Sequence, residues 1–177
     1  TVRDGFVSLD EPVSTYLSFW TKNQSDPRSR VTMRHLLSFT SGFYSEGPGG
    51  SVPCLGQAGY DFLDCAKQIY DEAPFVFEPG TVFDYNSFHL NIAGAVASAA
   101  LNVSISELLH KNLIQRLGLN STTYLNMSNP MLAAGLEING IDYERILQSY
   151  LTYDILPKSL ADQVEIDYTD PAKGVNA

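Results

Sequence analysis

Apolar residues recur every three or four positions along most of the chain, a spacing typical of helices that bury one face. Capping residues mark the expected helix starts, and glycine or proline marks several of the expected ends. Strand signals are few and short. The pattern predicts one helix with Pro12 in its first turn, one from Thr32 to about Thr40, and further helices over residues 61–71, 89–101, 104–116, 142–151 and 157–164.

Two segments between these helices are predicted to be loops. Residues 22–30 are polar and contain Pro27. Residues 45–59 hold five glycines and two prolines, which disfavour a helix and favour a surface loop. Ser87 is the predicted cap of the helix over residues 89–101. Because this helix is nearly all small and apolar, we expect other elements to cover it on most sides.

Composition and charge indicate a folded protein with one core. The chain has 177 residues, of which 44 % are hydrophobic and 18 % charged. A net charge of −9 disfavours binding to nucleic acid or to an anionic membrane surface. The longest apolar stretch, residues 92–101, is about half of what a bilayer requires, so we expect no transmembrane segment. The chain opens at Thr1 without a methionine or a signal peptide, and we interpret it as a piece of a longer protein.

Two further features favour a secreted or extracytoplasmic protein. Cys54 and Cys65 flank a glycine-containing loop and a helix start, and a disulfide between them is compatible with this spacing, although geometry decides it. Four Asn-x-Ser/Thr sequons are candidates for N-glycosylation, and together with a disulfide they suit an oxidising compartment. The sequon asparagines are Asn23, Asn102, Asn120 and Asn126.

Several common catalytic and binding motifs are absent from the sequence. His35, His89 and His110 do not pair at a metal-ligand spacing, so we predict no metal site. The sequence contains no glycine-rich phosphate loop and no Gly-x-Ser-x-Gly motif, and we predict no cofactor. No lysine has a serine three residues before it, so the Ser-x-x-Lys pair that activates a nucleophilic serine is missing.

Tyr85 is the candidate for a chemical role. A Pro79-Gly80 turn leads into a short aromatic extended segment, which ends with Tyr85 just ahead of a helix start. This arrangement can hold a phenol at the rim of a cleft, although packing alone is the competing interpretation. A free phenol has a pKa of ~10, and a nearby ammonium group would lower that pKa enough for proton transfer at neutral pH.

Three stretches together resemble the serine β-lactamase family, which is related to class C β-lactamases, DD-peptidases and esterases. In order and spacing the resemblance extends over about residues 5–151. The stretches are residues 5–13, residues 31–42, which are close to the family's Arg-His-Leu-Leu-x-His-Thr-Ser-Gly with Phe39 at the second histidine, and residues 77–85 followed by Gly94.

The resemblance implies a mostly α structure that forms the helical lobe of the α/β β-lactamase/transpeptidase-like fold. Few short strands are expected, because a fragment of this kind lacks most of the central antiparallel sheet. We expect a single partial domain over residues 1–177. Its parts would be a lead-in over residues 1–20, the helical lobe over residues 21–135, and a return segment toward the missing sheet over residues 136–177.

The resemblance also implies a reaction. In this family a serine on a Ser-x-x-Lys helix attacks an amide or ester carbonyl, and the tyrosine of a Tyr-x-Asn loop works with the lysine as a proton shuttle. Tyr85 takes the tyrosine position and Ser87 the position of the usual asparagine, with Asn86 as a second candidate for substrate contact. The nucleophile would lie before Thr1 and a third motif after Ala177, so the isolated chain is expected to be inactive.

The expected partners follow from the same resemblance. The substrate would be a small molecule, a peptide or an ester, and the missing segments could be supplied as a separate chain. Two alternatives stay open at this point. One is a non-catalytic binding or assembly module that keeps the fold. The other is an unrelated helical protein, which would be favoured if Tyr85 were buried away from any groove.

Overall fold

The chain is mainly helical in the computed structural model, which describes residues 1–45 and 52–176 apart from the side chain of Lys173. Within these residues two short strands pair antiparallel, with Thr123 opposite Glu137. The elements are α1 (Met33–Leu37), α2 (Phe62–Glu72), α3 (Phe88–Leu101), α4 (Ile105–Leu109), β1 (Thr123–Tyr124), β2 (Leu136–Glu137), α5 (Gly140–Leu151) and α6 (Lys158–Val164).

Helix α3 forms the centre of the core. Phe88, Ile92 and Val96 lie on one side of it with 0 % exposure, and the helix packs against α1, α2 and α4. Gly94 allows α2 to approach closely, because a Cβ atom at this position would lie only 3.1 Å from the ring of Phe62. The expectation that other elements cover this helix is therefore confirmed. No single helix in the described part of the chain is both long and apolar enough to cross a membrane.

Two short 3-10 turns lie where the sequence predicted a longer helix and a loop. The predicted first helix is a single turn, Val13–Thr15, in line with the modest helix propensity of valine, serine and threonine. A second turn, Pro27–Arg30, lies in the predicted loop, where the Asp26 side chain accepts a hydrogen bond from the backbone N–H of Arg28. Both predictions were therefore wrong in local detail.

Helix α1 begins as predicted but ends early. The Thr32 side chain accepts a hydrogen bond from the His35 backbone N–H, and the His35 ring accepts one from the Thr32 N–H, so both donors are satisfied. The helix ends at Leu37 rather than near Thr40, because Phe39 has a φ of 58°, which a right-handed helix cannot continue.

The helix predicted over residues 104–116 changes its hydrogen-bonding pattern along its length. Ser104 caps α4 by accepting a hydrogen bond from the backbone N–H of Glu107. After α4 the chain continues as a π-helix, His110–Gln115. In this segment the Asn112 side chain donates a hydrogen bond to the Leu108 carbonyl, so a side chain competes for a backbone acceptor.

Helix α5 is fixed to the loop before β1 by a buried carboxylate. Asp142 is 1 % exposed, and one of its oxygens accepts hydrogen bonds from the backbone N–H groups of Asn120 and Ser121 at 2.9 and 2.7 Å. The Thr122 hydroxyl donates a third at 3.0 Å. These bonds, the one from Ser121 foremost, lower the pKa of Asp142 because they favour the charged form. The carboxylate thus anchors the first turn of α5.

The segment predicted as a surface loop over residues 45–59 is partly buried. Residues 46–51 lie outside the described residues. In the remainder Val52, Cys54 and Leu55 are at most 6 % exposed. Cys54 and Cys65 form a disulfide, which ties this segment to α2. The surface-loop prediction is therefore wrong for these residues, because the disulfide holds them in the core.

Removing this disulfide should lower stability without changing the fold. The bond closes a short loop, and for such a loop we expect the double variant Cys54→Ser/Cys65→Ser to lose about 2–4 kcal/mol of unfolding free energy. Urea unfolding followed by circular dichroism measures this loss. Reductant should destabilise the wild type and leave the variant unaffected. An unchanged urea midpoint in the variant would contradict the structural role of the bond.

Candidate active site

Tyr85 lies at the surface, at the end of an extended segment. Gly80, with a φ of 85°, makes the predicted turn, and its N–H donates to the Thr40 carbonyl at 2.7 Å. The segment then runs alongside the C-terminal part of the chain, where the Phe83 N–H donates to the Asn176 carbonyl at 2.8 Å. The Tyr85 side chain is 61 % exposed. Tyr85 is therefore not buried in the core, and the condition that would have favoured an unrelated helical protein is not met.

The backbone just before Tyr85 is held on three sides through Asp84. Its N–H donates to the Phe39 carbonyl at 2.9 Å, and its carbonyl accepts a hydrogen bond from His89 Nε2 at 2.9 Å. Its carboxylate accepts one from Asn86 Nδ2 at 2.5 Å. These bonds fix the backbone that carries the phenol, while the phenol itself stays open to solvent.

Asn86 has a structural position. Its side chain amide is 1 % exposed and also donates to the Phe43 carbonyl at 3.2 Å. Its Oδ1 accepts a hydrogen bond from the Phe88 N–H at 3.0 Å and so caps α3. Ser87, the predicted cap, makes no side-chain capping bond and is 4 % exposed. The cap prediction was wrong by one residue, because Ser87 already has helical backbone angles, whereas a cap residue does not.

The burial of Asn86 and Ser87 affects their predicted roles in substrate binding. A side chain can bind substrate only if its polar atoms reach the surface, and both Asn86 and Ser87 are buried. The two polar ends of the Asn86 amide are already bonded to the protein. The geometry therefore favours structural roles for Asn86 and Ser87 over the predicted substrate-binding roles.

The buried histidine His89 supports the same loop. His89 is 0 % exposed, and its Nδ1 lies 2.9 Å from the Ser41 hydroxyl. Because the Asp84 carbonyl can only accept a hydrogen bond, Nε2 of the neutral ring carries the proton, and Nδ1 accepts the one from Ser41. The pKa of His89 is lowered to about 4, mainly because burial disfavours the charged ring.

Phe39 connects this histidine to Tyr85. Its ring centroid lies 5.1 Å from that of Tyr85 and 5.3 Å from that of His89, so it stands between them. Phe83 makes a further edge contact with Phe39 at 6.0 Å. Phe39, which stands at the second histidine of the motif that this segment resembles, thus gives the Tyr85 ring an apolar neighbour.

The titration of His89 predicts a loss of stability in mild acid. The unfolded chain takes up a proton near pH ~6.5 and the folded chain only near pH 4, so the free energy of unfolding should fall as pH falls through this window. A shift of this size corresponds to about 3 kcal/mol at about 1.4 kcal/mol per pKa unit. Urea unfolding between about pH 7 and 5, above the range of ordinary carboxylates, should show part of this loss.

The variant His89→Gln is the matched control, because its amide can still donate to the Asp84 carbonyl but does not titrate. Its stability should depend less on pH over the same range. Parallel profiles for the wild type and the variant would show that His89 does not cause the acid sensitivity.

Arg34 and three of the lysines have partners away from Tyr85. The Arg34 guanidinium donates to both carboxylate oxygens of Asp10 at 2.6 and 2.8 Å and to the Tyr168 hydroxyl at 2.7 Å, which ties α1 to the segment after α6. Among the described residues no group of three or more His, Cys, Asp or Glu side chains could hold a metal ion. Lysines in ion pairs within their own helical segments are Lys67, Lys111 and Lys158.

Three solved structures share this arrangement over part of their length. One, a Bacteroides dorei protein described provisionally as a β-lactamase, is 28 % identical, with a TM-score of 0.68 over 90 % of this chain and 50 % of its own. An octameric penicillin-binding protein homologue from Pyrococcus abyssi is 21 % identical, with a TM-score of 0.73 over 94 % of this chain and 45 % of its own.

The third, EstCE1, a hydrolase with promiscuous acyltransferase activity, is 19 % identical, with a TM-score of 0.73 over 90 % of this chain and 57 % of its own. The chain thus spans about half the length of these structures. No curated protein matches the sequence.

The family comparison agrees with the structural one. The profile of the β-lactamase family matches residues 1–131, which include the α1 segment, the Tyr85 segment and the whole of α3. The mostly helical architecture with two short strands corresponds to about half the length of the β-lactamase-like chain from Bacteroides dorei, as the sequence predicted. The chain therefore belongs to the β-lactamase family.

Proposed function

We propose that this chain is the helical part of a serine hydrolase that cleaves amide or ester bonds through an acyl-enzyme, with Tyr85 as its proton-shuttle residue. The observation that carries the proposal is the state of Tyr85. Its side chain is 61 % exposed, while Asp84, the residue before it, is fixed by two hydrogen bonds through its backbone and one through its carboxylate. Proton transfer requires an accessible group in a fixed place. A tyrosine kept only for packing would bury its ring.

In the proposed reaction Tyr85 accepts the proton of the serine hydroxyl as the serine oxygen attacks the carbonyl carbon. The phenol then gives the proton to the leaving amine or alcohol when the C–N or C–O bond breaks. An ammonium group beside the phenol would favour the phenolate that accepts the proton. We assign the serine and this ammonium to a Ser-x-x-Lys segment outside the present chain.

We favour esters and peptide-like amides over β-lactams as substrates. Ser87 stands where the family usually has asparagine, and a hydroxyl cannot supply two donors and an acceptor as an amide does. The burial of Ser87 and Asn86 further weakens any direct contact of this motif with a substrate amide.

Labelling with a fluorophosphonate probe tests the proposal. The 177-residue chain alone should remain unlabelled, whereas the whole protein that carries it should be labelled on one serine outside these residues. Covalent labelling of the isolated chain would contradict the proposal, since it would place the nucleophile among the present serines.

A second candidate is a non-catalytic binding or assembly module that retains the fold. The observation in its favour is that the two polar residues after Tyr85 are turned inward, with 1 % and 4 % exposure. The same experiment separates the two candidates. A whole protein that is folded, carries the Ser-x-x-Lys segment and still resists the probe would favour the module.

A further inference from the structure

An apolar groove lies between α1 and the segment that contains α6. Its wider part has a volume of about 260 Å³ and is bounded at one end by Thr1 and Val2. Its narrower part, of about 80 Å³, is bounded by Ser38 and Tyr168. The side chains common to both parts are Leu9, Leu37 and Val164. The groove therefore runs from the first residues of the chain toward Ser38, the neighbour of Phe39.

Both walls of the groove present apolar side chains to solvent. Helix α1 buries Met33 and Leu36 in the core and leaves Leu37 46 % exposed on its outer side. Helix α6 places Leu160 and Val164 one turn apart in the opposite wall, and Val164 is 60 % exposed. A contiguous apolar hollow of this kind on a folded domain is typical of a surface that another polypeptide covers.

The two walls are held together by hydrogen bonds of one arginine. Arg34 on α1 donates to Gln163 Oε1 at 3.2 Å and to the Tyr168 hydroxyl at 2.7 Å. The same guanidinium donates to both carboxylate oxygens of Asp10. Because its charge is compensated within the chain, the groove offers a fixed shape and apolar surface rather than a free cation. This chemistry suits an apolar occupant and not an anionic one.

We propose that this groove holds the segment of the whole protein that directly precedes Thr1, as a helix with its apolar face toward Leu37 and Val164. Thr1 lines the groove, so polypeptide joined to it would enter the groove at this end. The chain spans about half the length of the solved structures that share its fold, so a comparable length of polypeptide is available to cover the surface. An amphipathic helix in an apolar groove is a common mode of recognition.

The docked segment would extend toward the Tyr85 surface. Ser38 bounds the narrow end of the groove, and the ring centroid of the next residue, Phe39, lies 5.1 Å from that of Tyr85. The end of the segment away from Thr1 would therefore lie on the Tyr85 side of the molecule. This inference goes beyond the proposed function and does not depend on it, since it rests on the groove and on its position beside Thr1.

Photo-cross-linking of the whole protein tests the proposal. p-Benzoylphenylalanine is incorporated in place of Leu37, the protein is irradiated, and its tryptic peptides are mapped by mass spectrometry. We expect a cross-link from this position to residues that precede Thr1 in the same molecule. The same probe in place of Leu125, which is 66 % exposed and does not line the groove, should not reach that segment.

A charged substitution provides a second measurement. Leu37→Asp places a carboxylate in the apolar contact, so limited proteolysis should cut the segment before Thr1 at least about tenfold faster than in the wild type. Leu125→Asp is the matched control and should stay within about twofold of the wild-type rate. Circular dichroism shows whether each variant is folded.

Three cross-linking results would overturn the proposal: a link to polypeptide after Ala177, a link to a second copy of the protein, or no link in the folded protein. Equal proteolysis rates for Leu37→Asp and Leu125→Asp would also overturn it. The role of Tyr85 is measured separately by the kcat of Tyr85→Phe, so a failure of the docking proposal and a failure of the proposed function can be told apart.

Discussion

Replacing Tyr85 with phenylalanine is expected to lower the kcat of the whole hydrolase by about 100- to 10,000-fold, the range that general acid–base groups contribute. The substitution removes only the hydroxyl that would accept the serine proton. The ring can keep its contact with Phe39 at 5.1 Å, and the side chain is 61 % exposed, so the free energy of unfolding should stay within about 0.5 kcal/mol of the wild type. Steady-state hydrolysis of a chromogenic ester measures the effect.

A second exposed tyrosine provides the control. Tyr143 is 53 % exposed and lies on α5. Tyr143→Phe removes a hydroxyl of the same kind and should leave kcat unchanged. If Tyr85→Phe and Tyr143→Phe both keep the wild-type kcat, the phenol of Tyr85 has no part in the chemistry.

Replacing Gly42 with alanine is expected to lower the free energy of unfolding by about 2–6 kcal/mol. Gly42 has a φ of 100°, and a Cβ atom there would overlap the Phe77 carbonyl oxygen and lie 2.8 Å from the Phe75 ring. Backbone strain and overpacking each contribute about 1–3 kcal/mol. The Gly42 carbonyl also accepts hydrogen bonds from the N–H groups of Val76 and Phe77, so the substitution would disturb the segment that leads to Tyr85.

Gly59→Ala is the matched control for this prediction. Gly59 has a φ of 86°, but nothing lies within 4 Å of the Cβ position, so only the conformational cost of ~1 kcal/mol applies. Urea unfolding of both variants separates strain from overlap. Equal losses in the two variants would contradict the close packing of Gly42 against residues 75–77.

Local patterns predicted the elements whose signals agree with one another. Helix α2 combines Asp61 as a cap with buried Phe62 and Ile69 at helical spacing, and the predicted and observed elements differ by about one residue at each end. The burial of helix α3 was predictable because a helix made almost wholly of apolar residues must pack against other elements on most sides. In both cases the information lies within a few neighbouring residues.

The remaining differences arise from contacts between distant residues. The end of α1 depends on Phe39 adopting a positive φ, which an aromatic residue rarely does. Here its ring packs between Tyr85 and His89, which lie far along the chain. Propensity cannot represent such a contact, so the predicted end was wrong.

The exposed residue of the candidate site could be predicted from the sequence, whereas the buried residues that hold its backbone in place could not. The order of motifs identified Tyr85. The pairing of Ser41 with His89 joins positions 48 residues apart, and neither residue carries a local signal for it. The capping of α3 by Asn86 instead of Ser87 depends on a choice between adjacent polar side chains that only the backbone geometry decides.

Tyr85 is proposed to move the proton when the serine is acylated, and the acylation rate tests this role most directly. Rapid mixing of the whole hydrolase with a chromogenic ester should give a burst of one leaving group per active site. In Tyr85→Phe the burst should be slowed by about 100-fold or more, with the same amplitude and an unchanged urea midpoint. A burst of wild-type rate in the folded variant would contradict the assignment.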